Sequence, residues 1–147
     1  MKIAIGCDHG AVDMKNTVKE HLLKKGYEVV DFGTHTTASC DYPDIVSQAA
    51  RAVAAGECDR GIVMCTTGIG VSIAANKIPG IRCALLQDVW SAKMTRAHND
   101  ANMMALGGAV TGNLMALEIV DTFLTTEFSF EEKHVRRIAK VAALEQK

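Results

Sequence analysis

Short runs of apolar and β-branched residues alternate along the chain with longer stretches in which apolar positions recur every three or four residues among charged ones. Lys2 to Gly6 is the first short run and predicts a strand. Ala11 to Lys25 then carries Val12, Val18, Leu22 and Leu23 among Lys and Glu, the spacing of a helix with one buried face, and Gly26 closes it. Tyr27 to Phe32 predicts the second strand. Asp41-Tyr42-Pro43 opens a helix reaching about Ala55, with proline in the first turn, where its missing N–H is not needed. Ile62 to Cys65 is the third strand, Val71 to Asn76 a small-residue helix, and Arg82 to Leu86 a fourth strand after the Pro79-Gly80 turn. Asp88 to Ala97 then predicts helix, Met103 to Leu106 a fifth strand, and Leu114 to Thr125 another helix. A last helix spans Glu131 to Leu144, where Val135, Ile138 and Val141, with Ala142 or Leu144, form an apolar stripe.

Strands that alternate with helices must be parallel neighbours joined by crossovers, so residues 1–147 form a single α/β domain, a three-layer α/β/α sandwich. Five strands predict the order 2-1-3-4-5 of flavodoxin-like, Rossmann-like sheets, with the terminal helix as an addition. In that order strands one and three flank the point where the winding reverses. Asp8-His9-Gly10 and Cys65 to Gly70 then meet in one crevice.

The chemistry concentrates in Arg60-Gly-Ile-Val-Met-Cys65-Thr-Thr-Gly68-Ile-Gly70, which sets a sulfur and a glycine turn at the end of an apolar strand. Glycines permit backbone conformations closed to other residues, and unpaired amides at a helix start favour an anion. A thiol in such a field gives up its proton more readily than a free one. On these residues alone the segment reads equally as a plain turn beside an inert cysteine. In the terminal helix, Lys133, His134 and Arg137 share a face that is either simply solvated or an anion clamp, with Arg137 able to make two parallel bonds. A terminal helix following a complete sheet is also well placed to reach a partner subunit.

Composition narrows the classes. At 147 residues with 48% hydrophobic content the chain can bury a core, and a formal charge of −1 without charge runs argues against nucleic acid and membrane surfaces as partners. Cys7, Cys40, Cys58, Cys65 and Cys83 show neither metal-ligand spacing nor a disulfide framework, which implies reduced thiols and a cytoplasmic setting. The first residues lack the apolar core of a signal peptide, and no apolar run reaches the ~18 residues of a membrane span.

Taken in order, Asp8-His9, Asp41-Tyr42-Pro43, Cys65-x-Thr67-Gly68-Ile69-Gly70-x-Ser72-Ile-Ala-Ala-Asn76-Lys, Pro79-Gly80-Ile81-Arg82, His98-Asn99-Asp100-Ala-Asn102, Gly107-Gly108 and His134-x-Arg136-Arg137 closely resemble the type B ribose-5-phosphate isomerase family, over nearly the whole chain. That family also includes galactose-6-phosphate and allose-6-phosphate isomerases. The resemblance implies a flavodoxin-like aldose–ketose isomerase that needs no metal or cofactor. It further implies a homodimer, or a dimer of dimers, with the site at the subunit interface and a small sugar phosphate as ligand.

By the same resemblance Cys65 is the base that moves a proton between adjacent carbons, and the amides of Thr66, Thr67, Gly68, Ile69 and Gly70 hold the enediolate oxygens with help from the Thr67 hydroxyl. His98 is implied to open the sugar ring, and Asp8 and Tyr42 to orient the sugar. Asn99 would hold the reacting end, and His9, Lys133, His134 and Arg137 would meet the phosphate. Without the resemblance His98 reads as a helix end, Asp8 and His9 as turn formers, and Tyr42 as a helix start. Three positions depart from the family pattern: Thr66 replaces a usual glycine, Ala109 follows Gly107-Gly108 where arginine is usual, and Lys133 stands for another arginine. Ribose 5-phosphate is the expected substrate. Allose 6-phosphate, galactose 6-phosphate, a tetrose phosphate or a free aldose are the alternatives, and a flavodoxin-like binding module is the rival from another class.

Overall fold

In a computed structural model, which describes residues 1–145, two strands are almost wholly buried: β3 (Arg60–Cys65) from Gly61 onward and β5 (Met103–Gly107) at every residue. Continuous burial of apolar residues requires cover on both faces, so both strands lie inside the sheet. β1 (Lys2–Cys7) is likewise buried from Ile3 onward, whereas β2 (Glu28–Asp31) and β4 (Cys83–Leu85) contain no buried residue and form the edges. All pairs are parallel and the order is β2-β1-β3-β5-β4. The expected sequence of strands four and five is therefore reversed. Met103-Met-Ala-Leu106 has enough apolar side chain on both faces to fill an interior position, and the three-residue β4 does not.

The reversal changes which layer a helix joins. Right-handed crossovers put a helix on one face when the chain steps left and on the other when it steps right. Accordingly α1 (Val12–Lys24), α4 (Val89–Asn99) and α5 (Asn113–Thr125) share one layer, and α2 (Tyr42–Ala54) and α3 (Ile69–Ala75) the other. In the first layer Val18, Leu22, Ile119 and Phe123 pack on Ile5, Met64 and Leu106. Each such fully buried side chain contributes about 1.5–3 kcal/mol relative to an exposed position. In the second, Ala49, Ala75 and Val71 let two helices lie close to Ala4, Val63 and Ala105.

Edge strand β4 is covered by side-chain amides rather than by another strand. Asn76 donates to the Cys83 carbonyl and accepts from the Cys83 N–H, each at 2.8 Å, while Asn102 accepts from Arg82 N–H at 2.9 Å and donates to Gly80 O at 2.8 Å. These bonds occupy groups that an exposed edge would offer to another chain. They also explain why two motif asparagines belong to the fold.

Helix α6 (Glu132–Ala142) docks loosely, against α4, and His134 is its one buried residue. Its expected apolar stripe is incompletely covered: Ile138 is half-buried, while Val135, Val141 and, just beyond, Leu144 are exposed. No helix among the described residues is long and apolar enough to cross a membrane.

Lys15 was hidden within the α1 pattern. It is fully buried, and its Nζ lies 2.9 Å from both carboxylate oxygens of Asp31. Burial alone would raise the Asp31 carboxyl, but the Lys15 and Lys19 ammoniums and the Gly33 N–H hold it below its ordinary value. His21 bridges α1 to α5 through Asp121 at 2.8 Å.

Candidate active site

Cys65 ends β3 with its sulfur accepting the Gly68 N–H at 3.1 Å, and it is 6% exposed. The turn that makes this bond depends on two glycines in backbone contact. Gly68 has φ +79°, and a Cβ there would come within 2.9 Å of the Leu106 carbonyl carbon; a Cβ on Gly107 would lie 2.6 Å from Thr67 O. Gly108 N–H donates to Cys65 O at 2.8 Å and Ala109 N–H to Thr66 O at 3.0 Å, tying the turn to the end of β5. Of the five amides expected to form an anion hole, Gly68 is engaged by the Cys65 sulfur and Ile69 by the Thr67 hydroxyl at 3.3 Å. The amides of Thr66, Thr67 and Gly70 are the ones left to meet a substrate.

The turn after β1 lies against it, as the crevice argument requires. Asp8 is 7% exposed; its Oδ1 accepts the Gly10 N–H at 2.9 Å, and a short 3-10 turn over His9–Ala11 follows before α1 begins. Gly10 sits against the Thr66 side chain and Gly108 against the Gly10 carbonyl, where a Cβ would collide with Thr66 Oγ1 and lie 3.2 Å from Gly10 O respectively. His9 accepts the Cys40 N–H on Nδ1 at 3.3 Å, so the neutral ring carries its proton on Nε2. It lines a cavity of about 300 Å³ with Gly10, Thr37, Gly108 and Asn113. The Tyr42 ring covers Gly70, where a Cβ would come 2.8 Å from Cζ. Asp8, His9, Tyr42, Cys65, Thr66, Thr67, Gly68, Ile69 and Gly70 thus form one continuous group at the carboxyl ends of the strands.

His98, Asn99, Lys133, His134 and Arg137 form a second group elsewhere. His98 and Asn99 occupy the last turn of α4, which runs back towards the amino ends of the strands. The His98 and His134 rings stack with centroids 4.3 Å apart and planes 12° apart. A cavity of about 710 Å³ is lined by Asn76, Arg82, His98, Asn99, His134 and Arg137, and Cys65 borders neither this cavity nor the smaller one. His134 is 5% exposed, and its Nε2 has no partner among the described residues. Burial, then His98, pushes the His134 imidazole below its ordinary value, with Lys133 and Arg137 adding to the effect and Glu131 opposing it. Lys133 is paired with Glu131 at 2.8 Å, while Arg137 is exposed and lines the cavity.

Three other thiols are poorly suited to act as bases. Burial pushes Cys7 up to about 12, partly opposed by Lys15 and by its bond to Thr34 O, and burial pushes Cys83 to about 12. Cys58 is raised by burial as well.

A family model described as Ribose/Galactose Isomerase matches residues 3–141. The chain is 44% identical to "Ribose-5-phosphate isomerase B" of Escherichia coli (strain K12), over 99% of this chain and 97% of that protein. It is 42% identical to "Galactose-6-phosphate isomerase subunit LacB" of Clostridium acetobutylicum, over 87% and 74% of the two. Among solved structures, that of Clostridium thermocellum Ribose-5-Phosphate Isomerase B superposes with a TM-score of 0.97 at 53% identity, covering 99% of this chain and 98% of that one.

Proposed function

The chain belongs to the Ribose/Galactose Isomerase family and is a sugar-phosphate isomerase, and from that premise we propose that it interconverts ribose 5-phosphate and ribulose 5-phosphate through an enediolate, without a metal or cofactor. The observation that carries the reading is the Gly68 N–H held on the Cys65 sulfur, with the Thr66, Thr67 and Gly70 amides of the same turn left to meet a substrate. The thiolate is the form of a cysteine that takes a proton, and the Gly68 N–H points at that sulfur. Cys65 removes the proton from C2 of the open aldose and returns it to C1. The Thr66, Thr67 and Gly70 amides and the Thr67 hydroxyl hold the two oxygens while charge is on them. Asp8 and Tyr42, packed against the same turn, orient the sugar.

His98 opens the ring by passing a proton between the ring oxygen and the anomeric hydroxyl, a task suited to imidazole. Asn99 sits beside it, and His9 Nε2, His134, Arg137 and Lys133 supply phosphate contacts. For His98 to reach a sugar held at Cys65, a second copy must bring its α4 end and α6 to the first copy's Cys65 turn. The exposed Val135, Val141 and Leu144 support such a homodimer, or a dimer of dimers, because an apolar stripe on a helix is stable when covered. Five cysteines without a disulfide framework support a cytoplasmic setting.

A second reading within the class is a different sugar: allose 6-phosphate, galactose 6-phosphate, a tetrose phosphate or a free aldose. Ala109 beside the Thr66 turn offers no cation there, and Lys133 is occupied by Glu131. A coupled screen of aldose phosphates and free aldoses separates these readings. Cys65→Ala tests the chemistry: it should abolish both interconversion and deuterium uptake from solvent at C1 of ribulose 5-phosphate while the circular dichroism spectrum is unchanged. Retention of more than about a tenth of either rate, a loss below ~1.4 kcal/mol, removes Cys65 as the proton carrier.

A further inference from the structure

The helix end that carries His98 and Asn99 is held in an unusual way. α4 stops at Asp100, which has φ +43° and ψ +44°, a left-handed conformation that residues with a side chain avoid. Its carboxylate and the last helix carbonyls bring negative charge to an end that is already the negative pole of the helix dipole. Two arginines offset this. Arg96, 3% exposed and lying 5.8 Å over the Phe123 ring, donates from Nη1 to Asp100 Oδ1 at 2.7 Å and to Ala101 O at 2.6 Å. Arg82 reaches in from just before β4: its Nε donates to Asn99 O at 3.0 Å and Asp100 O at 3.2 Å, and its Nη2 to Asp100 O at 2.7 Å and Asp100 Oδ2 at 3.3 Å. The Arg82 backbone is anchored in turn by Asn102.

Arg82 lines the cavity that holds His98, His134 and Arg137, and lining alone would make it one more anion ligand. Its hydrogen bonds indicate another role. Nε and Nη2 are spent on the carbonyls of Asn99 and Asp100 and on the Asp100 carboxylate, so the fork grips the backbone directly after His98. We propose that Arg82 is a positioning residue for ring opening, fixing the last turn of α4 against the edge of the sheet so that His98 presents its ring at one place, stacked on His134. The inference rests on the reading of His98 given above. Lysine is a poor substitute, because a single ammonium lacks the planar fork that spans two carbonyls and a carboxylate.

The test compares two reactions of the full-length enzyme. Net interconversion of ribose 5-phosphate and ribulose 5-phosphate requires ring chemistry and proton transfer. Deuterium uptake at C1 of ribulose 5-phosphate requires proton transfer alone, since that ketose has its O5 esterified and does not close a furanose. Arg82→Met should lower kcat with ribose 5-phosphate as substrate by about tenfold or more and C1 exchange of ribulose 5-phosphate by less than about twofold, with KM for ribulose 5-phosphate unchanged. Amide hydrogen exchange at Asp100 and Ala101 should rise, and Arg82→Lys should recover only part of the loss. Asp100→Asn, which tolerates the left-handed conformation while removing the carboxylate from both arginines, should show the same selective pattern at smaller size, and it serves if Arg82→Met does not fold. Equal losses in both reactions reduce Arg82 to a structural residue, and a raised KM in both makes it a phosphate ligand. Either result overturns the proposal, as does unchanged amide exchange at Asp100 and Ala101. His98→Asn is run alongside: equal losses there would instead overturn the role given to His98. In that case, or if neither sugar is turned over, faster amide exchange at Asp100 and Ala101 supports the clamp and unchanged exchange refutes it.

Discussion

Gly68→Ala, measured against Gly26→Ala, tests whether the Cys65 turn is held by backbone contact. Both glycines are left-handed, with φ +79° and +84°, so an alanine at either carries the same conformational strain of about 1–2 kcal/mol. They differ in what the new methyl meets. At Gly26, after α1, there is nothing within 4 Å, whereas at Gly68 the methyl would lie 2.6 Å from Leu85 Cδ1, 2.9 Å from the Leu106 carbonyl carbon and 3.1 Å from Gly107 N. Leu85 can rotate away on the sheet edge, but the backbone of β5 cannot. Overpacking of this kind adds about 1–3 kcal/mol, for a total of roughly 2–5 kcal/mol at Gly68. Relief by moving the turn breaks the Gly68 N–H bond to the Cys65 sulfur, and a hydrogen bond to a charged group is worth about 1.5–3 kcal/mol, which is roughly ten- to hundredfold in kcat. Urea unfolding gives the first quantity and steady-state kinetics the second. The reasoning is refuted if the two variants unfold at the same urea concentration, or if Gly68→Ala keeps wild-type turnover.

Lys15→Met should cost about 3–5 kcal/mol in urea unfolding because it removes the buried partner of the Asp31 carboxylate and leaves it Lys19 and the Gly33 N–H, and adding Asp31→Asn should restore part of that; simple additivity would refute the pairing. Because the Asp31 carboxyl is held below its unfolded value of about 3.9, its contribution is present above that pH and lost as pH falls through the folded value. Asp31→Asn should therefore flatten the acid side of the stability profile below about pH 4, and an unchanged slope would count against it. Ala109→Arg should lower KM for ribose 5-phosphate by about tenfold with kcat little changed if the missing guanidinium only weakens phosphate binding. A fall in activity on ribose 5-phosphate would instead favour a larger sugar or a differently placed phosphate.

The alternation of strands and helices was legible because buried parallel strands and one-faced helices leave different hydrophobic periods, and every predicted element is present. Boundaries moved where a side chain intervened: Asp8 captures the Gly10 N–H, so α1 begins at Val12 after a short turn rather than at Ala11. Lys15 carries its signal in the sequence, since it lies on the same face as Ala11, Val18 and Leu22, where a charge is out of place unless paired. The division of the site was also implicit. A crossover helix returns the chain to the amino ends of the strands, so His98, at the end of α4, had to lie away from Cys65, at the end of β3.

Local sequence determined the elements, the glycine turn at Cys65 and the family, because backbone freedom, hydrophobic period and motif order are properties of neighbouring residues. The order of β4 and β5, the layer that α4 joins, the backbone contact of Gly68 with Gly107, and the grip of Arg82 and Arg96 on Asp100 were decided only by the tertiary structure. Each depends on which of several similar surfaces buries more apolar area or satisfies more polar groups. That competition is settled between segments far apart in the chain.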